Sequence, residues 1–122
     1  MVNFDVASRF LKLLDDVDDF TFQTFAEADE GAVRPRVFHG PFLEHADALA
    51  KENDHGAGVF VMVNAGDGIV LEGAKTCRTA RNVQRVRAPF VDLDSAPIAP
   101  VLDCALPPDW VVRSSPGRWH AY

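Results

Sequence analysis

Residues 58–64, Gly-Val-Phe-Val-Met-Val-Asn, constrain the fold more than any other segment. Five consecutive apolar side chains lie between Gly58 and the turn-forming Asn64-Ala-Gly-Asp-Gly68, the pattern of a short strand buried on both faces. Such a strand is expected at the centre of a sheet, so the rest of the chain must supply neighbours for it. Phe20-Thr-Phe-Gln-Thr-Phe25 has the aromatic and β-branched content of a strand, and Val37 and Phe38 begin another. Arg87 to Asp94 reads as a strand that leaves the core at its acidic end. Trp110 to Ser115 and Trp119 to Tyr122 read as two strands around Pro116-Gly117.

Two helices are expected to cover this sheet. Val6, Phe10, Leu13, Leu14 and Val17 recur at helical spacing behind Asp5 as N-cap, which predicts a helix over 5–17 ended by the acids Asp15, Asp16, Asp18 and Asp19. Pro41 suits a first helical turn, and Phe42, Leu43, Ala46, Leu49 and Ala50 form one apolar face that ends before Gly56. Residues 27–36 are a charged connection broken by Gly and Pro, 69–82 carry little pattern, 95–100 are a loop, and 99–108 hold a short helix. No repeat or linker divides the 122 residues, so one domain over 1–122 is expected.

Charge and cysteine usage narrow the function. A net charge of −6 excludes a protein that coats nucleic acid by electrostatics alone. Residues 1–55 hold 12 of the 18 acids, whereas Lys75, Arg78, Arg81, Arg85 and Arg87 follow one another with no acid among them. That local positive stretch reads either as a solvated loop or as a contact for a phosphate backbone. No run approaches a membrane span and the N-terminus has no basic start followed by an apolar stretch, so a soluble cytoplasmic protein without membrane partners is expected. Cys77 and Cys104 lack any ligand spacing and are expected to be buried or idle thiols.

Two segments carry chemistry. In Phe90-Val-Asp-Leu-Asp94, strand alternation turns Asp92 and Asp94 to one face, about 7 Å apart. Paired hard oxygens with open positions beside them are what Mg²⁺ or Mn²⁺ takes. Asp16-Val-Asp18 has the same form, but at a helix end its carboxylates read as solvated. The second segment, Arg113 to Tyr122, gathers Ser114, Ser115, Arg118 and His120 around a Ser-Pro-Gly turn, a composition suited to a triphosphate. No GxSxG elbow surrounds either serine, which disfavours a hydrolase. Gly56, Gly58, Gly66 and Gly68 form neither GxGxxG nor a P-loop, and His39, His45 and His55 share no ligand spacing.

In order and spacing, RVFHG at 36–40, GAGVFVMVNAGDG at 56–68, NVQRVRAPFVDLD at 82–94 and LPPDWVVRSSPGRWHAY at 106–122 resemble the RepB-like primases of the archaeo-eukaryotic primase, or primase-polymerase, superfamily, found on plasmids, phages and integrated elements. The resemblance implies an α+β fold: a mixed, largely antiparallel sheet with flanking helices, part of an RRM-like catalytic core. It implies that Asp92 and Asp94 bind Mg²⁺ or Mn²⁺ and, with His120, are catalytic, and that Ser114, Ser115, Arg118 and His120 bind the nucleotide. Lys75, Arg78, Arg81, Arg85 and Arg87 would approach a single-stranded DNA template, and a helicase or initiator domain would accompany the chain. The family's third motif, a later metal-binding aspartate, is not reached by Tyr122, so residues 1–122 are expected to be the N-terminal part of a catalytic domain, with Trp119 to Tyr122 as an exposed or partner-paired edge. The function implied is nucleotidyl transfer from an NTP or dNTP to a 3′-hydroxyl. The alternatives are a non-catalytic nucleotide- or DNA-binding replication module and a plain interaction domain.

Overall fold

The computed structural model describes residues 2–26 and 35–122, so the connection expected over 27–36 lies, except for its last two residues, outside the described residues. They form two compact units, 2–87 and 88–122. Every strand pair is antiparallel and three α-helices accompany the strands among the described residues, an α+β architecture. The single mixed sheet expected from the sequence is instead three small antiparallel ones. Strands of two to seven residues, separated by turns and irregular segments, are too short to build one continuous ladder.

In the first unit, α1 spans Phe4–Leu14, β1 Phe20–Ala26, β2 Val37–Gly40, α2 Phe42–Asp54 and β3 Ala57–Val61. The sheet order is β2-β1-β3, so the centre is β1 and the apolar run of residues 58–64 lies at an edge. Val59 and Phe60 are 37% and 46% exposed. The reason lies in β1, whose polar side chains could enter the core because each finds a partner. Thr21 Oγ1 is 2.8 Å from His39 Nδ1, Gln23 Oε1 accepts from Thr76 Oγ1 at 2.8 Å, and Thr24 Oγ1 accepts from the Arg36 amide. Gln23 Nε2 is buried without a hydrogen-bond partner, a cost that the packing around it offsets, and Phe20 and Phe22 carry the strand into the interior, where Phe22 packs against Phe42 of α2.

Helix α1 starts one residue earlier than expected and ends three residues earlier. Its cap is Asn3, whose Oδ1 accepts from the Val6 amide, and Asp5 belongs to the first turn. Leu11 and Leu14 are buried, while Val17 lies beyond the helix and is 58% exposed. The helix stops because Asp15 is extended and turns its carboxylate onto Arg85 and Arg87. The neighbouring acids have work of their own. Asp18 Oδ1 accepts from the Phe42 amide at the start of α2, and Asp19 Oδ1 lies 3.4 Å from His39 Nε2.

Two further strands, β4 (Ala65–Gly66) and β5 (Val83–Arg85), form a short ladder. Between them the weakly patterned segment is held by Asn82, fully buried in a 3₁₀ turn over Ala80–Asn82. Its Nδ2 donates to Asp67 Oδ1 at 2.9 Å and to the Ile69 carbonyl at 2.7 Å, and its Oδ1 accepts from the Thr79 amide and hydroxyl. Cys77 is buried, which pushes its thiol pKa up, and Cys104 is exposed.

The second unit contains β6 (Val91–Asp94), α3 (Ala99–Leu102), β7 (Val111–Ser115) and β8 (Arg118–Ala121). Its sheet order is β6-β8-β7, which corrects the expectation that the strand bearing His120 would be an edge: β8 is the middle strand, paired on both sides. The β7–β8 hairpin provides one neighbour, and the return of β6 provides the other.

Candidate functional site

The register of the second sheet brings together residues that are far apart in sequence. Asp92 stands directly opposite His120, and Asp94 opposite Arg118. On the other side of β8, Val112 faces His120 and Ser115 faces Arg118, with a register shift between Arg113 and Ser115. That shift leaves Ser114 as the extra residue of a bulge, its hydroxyl 3.4 Å from the Arg118 carbonyl. Pro116 and Gly117 close the hairpin, with Gly117 at φ 75°, the left-handed region a glycine enters freely.

Because side chains alternate along a strand, these positions share one face. The Asp92 side chain is 63% exposed and that of Asp94 68% exposed. Asp94 Oδ1 is 2.9 Å from Arg118 Nε, and Asp92 Oδ1 is 3.5 Å from His120 Nε2. On the opposite face Arg113 lies over the Trp119 ring at 5.7 Å, and Ala121 is buried. Ser95, immediately after Asp94, has φ 67° and ends β6 with a backbone that few non-glycine residues adopt.

A third row lies on the charged face two residues further along each strand. Phe90 stacks on Tyr122 with centroids 5.6 Å apart, and Tyr122 stacks on Trp110 at 5.3 Å and 9°. The Tyr122 hydroxyl is 3.4 Å from His120 Nδ1. The two ring nitrogens of His120 thus face different partners, Nδ1 the phenol and Nε2 the Asp92 carboxylate. Burial, and then the Asp92 carboxylate, push the Tyr122 phenol pKa up, which keeps the hydroxyl protonated. Sequence reasoning missed the row because no motif joins Phe90, Trp110 and Tyr122. The available signal was their spacing, two residues before Asp92 and two after His120.

The donor set fits Mg²⁺ or Mn²⁺ as two carboxylate ligands on an open face, the way magnesium is held when substrate phosphates complete its shell. Among the described residues no group of three or more His, Cys, Asp or Glu could enclose a metal ion. Each carboxylate is engaged by a cationic or polar neighbour, which a metal or a phosphate would have to displace.

The basic stretch belongs to the first unit, where its members have different surroundings. Arg87 is 1% exposed in its side chain, donates to Asp15 at 2.6 Å and to the Asp19 carbonyl, and lies 4.5 Å above the Phe20 ring. Arg85 joins it on Asp15. The Arg87 bond is the main reason why the Asp15 pKa falls to about 2. Arg87 therefore ties α1 to the segment after β5 and has no surface for a phosphate backbone. Arg78 lies over Phe25 and Phe60 and is exposed, as are Lys75 and Arg81.

The first unit also aligns Thr21, His39 and Asp19, a hydroxyl, an imidazole and a carboxylate in series. Thr21 is 1% exposed, so its hydroxyl serves the core and offers no nucleophile. No helix of the described residues is long and apolar enough to cross a membrane. No family model, curated protein or solved structure matches the chain.

Proposed function

We propose that residues 88–122 present a nucleoside triphosphate site of primase-polymerase type, used for template-directed nucleotidyl transfer to a 3′-hydroxyl in a replication protein of a plasmid, phage or other mobile element. One observation carries the reading: the register that sets Asp92 opposite His120 and Asp94 opposite Arg118 on an exposed face. Exposed ion pairs contribute only about 0–1 kcal/mol to stability, so these four residues are poorly explained as a folding device.

Asp92 and Asp94 would hold Mg²⁺ or Mn²⁺, which when bound supplies positive charge to the triphosphate oxygens. Arg118 exchanges its carboxylate partner for a phosphate oxygen, and its planar fork suits two such oxygens at once. His120 donates from Nε2 to a neighbouring phosphate, with Nδ1 held by Tyr122. Ser114 and Ser115, at the bulge and turn beside Arg118, add hydroxyl donors at the same end. Lys75, Arg78 and Arg81 are the members of the basic stretch left to meet a template strand.

A second reading has its own support. Because two carboxylates are joined by no third ligand among the described residues, metal-dependent nucleotide binding without transfer is the behaviour of a non-catalytic replication module. Primer extension on a single-stranded template separates the two.

The binding test is thermal unfolding of the full chain with Mn²⁺, with ATP, and with both. A ligand at about 100 times its Kd adds about 2.7 kcal/mol to the native state, so the pair should raise Tm by several degrees and either component alone by less. The shift should vanish in an Asp92→Ala, Asp94→Ala variant, and His120→Ala should weaken ATP more than AMP. An unchanged shift in the double variant sinks the reading.

A further inference from the structure

We infer that the aromatic row is the base-binding end of this site, with Phe90 as the surface on which the nucleobase stacks; the inference rests on the nucleotide reading above. The face is graded from one end to the other. It runs from Phe90, Tyr122 and Trp110, through Asp92 and His120, to Asp94, Arg118 and the serines of the bulge. Each row is two residues from the next, so the polar end lies about 13 Å along the strands from the aromatic end. An extended nucleoside triphosphate has the same polarity, a flat apolar ring at one end and phosphate charge at the other, with comparable reach.

The open position in the stack is next to Phe90. Its ring stacks on Tyr122 and leans toward His120, and it directly precedes β6, an edge strand. Phe90 is 47% exposed. A base placed there continues a stack of three rings that are already aligned, and loses little freedom that the protein has not already removed. Base-on-aromatic stacking tolerates every base, because each has a π-face, which suits a site that must accept four nucleotides in turn. The sugar would then span from the first row to the second, and the phosphates would reach Asp94 and Arg118, on β6 and the strand next to it.

Inorganic tripolyphosphate shares the charged end of ATP and lacks the base, so comparing the two isolates the aromatic row. Binding of each to the full chain with Mn²⁺ is measured by calorimetry. The parent should hold ATP about 10-fold more tightly than tripolyphosphate. Phe90→Leu, which keeps apolar bulk and removes the flat ring, should erase most of that difference, leave tripolyphosphate binding unchanged and leave Tm within a degree or two. Phe90→Trp should restore or increase the preference for ATP, which excludes a fault in folding as the cause of the loss. Adenine ring protons should shift upfield on binding to the parent and not to Phe90→Leu. If the parent binds ATP and tripolyphosphate equally, or Phe90→Leu weakens both alike, the base does not stack on Phe90 although the phosphate site stands. If neither ligand binds, the nucleotide reading itself is overturned, and the base-binding proposal with it.

Discussion

Replacing Asp15 by Asn tests whether the buried Arg87 is held by charge. The Asp15 side chain is 8% exposed and receives Arg87 Nε at 2.6 Å, with Arg85 on the same oxygen. Its pKa falls from 3.8 to about 2, first through the Arg87 hydrogen bond. At 1.36 kcal/mol per pKa unit that depression corresponds to at most about 2 kcal/mol. Arg85 is 54% exposed, so solvent screens its share and about 1–2 kcal/mol is the working figure. The folded pKa is depressed, so this stability is fully present above pH 4 and is lost as pH falls from about 4 toward 2. Urea unfolding of parent and Asp15→Asn at pH 7, 5, 3 and 2 reads it directly. The variant should be less stable at pH 7 by at least that amount, because the Arg87 guanidinium keeps its charge and loses its counter-ion. The gap should hold to pH 5 and shrink by about 1–2 kcal/mol by pH 2, where the parent's own Asp15 takes up a proton. A gap that stays constant from pH 5 to pH 2 would show that the pair contributes packing alone and that its charge is idle.

Two further substitutions probe the irregular segment between β4 and β5. Asn82→Ala removes four hydrogen bonds from a fully buried position and should cost about 2–4 kcal/mol in urea unfolding; because Asn82 is the main cause of the lowered Asp67 pKa, the Asp67 carboxyl should also titrate higher by NMR. Gly68→Ala places a Cβ 2.6 Å from His39 Cβ at φ 70°, and should lower stability by about 2–4 kcal/mol, whereas Gly73→Ala, with nothing within 4 Å and a similar φ of 78°, should lose only the smaller backbone-strain part.

Element types were more legible in the sequence than their neighbours. Helix α2 and the β7–β8 hairpin follow from apolar spacing and from Pro116-Gly117, signals that act within a few residues. The rank of strands within a sheet is a long-range property. The run Val59 to Val63 has the composition of a centre strand, and β1 took that place because Thr21, Gln23 and Thr24 found partners in His39, Thr76 and Arg36, three contacts that no local pattern announces. Within the basic stretch the burial of Arg87 was illegible for the same kind of reason: it looks like its neighbours in sequence, and its side chain is 1% exposed because it packs on Asp15, 72 positions away, and over the Phe20 ring. At the candidate site the alternation of Asp92 and Asp94 was readable, since it needs one strand. Their opposition to His120 and Arg118 needed the pairing of β6 with β8, and the aromatic row needed the same register carried one step further.

That register makes the site sensitive to a single-residue slip. Side chains alternate with period two, so moving β8 by one position against β6 would put Trp119 and Ala121 on the charged face and turn His120 toward the apolar side. Two features oppose the slip. Ala121 is 3% exposed and cannot be exchanged for an imidazole without burying a polar group, and Gly117 fixes the length of the hairpin turn. The bulge at Ser114 does the opposite on the other side of β8, admitting one extra residue so that Ser115, and not Ser114, comes level with Arg118. The apolar face and the ring stack at one end of the charged face thus fix the alignment, while the ion pairs, being exposed, contribute little to it. The part of the face that carries Asp92, Asp94 and Arg118 is thus free to be chosen for what it binds, a composition that packing did not require.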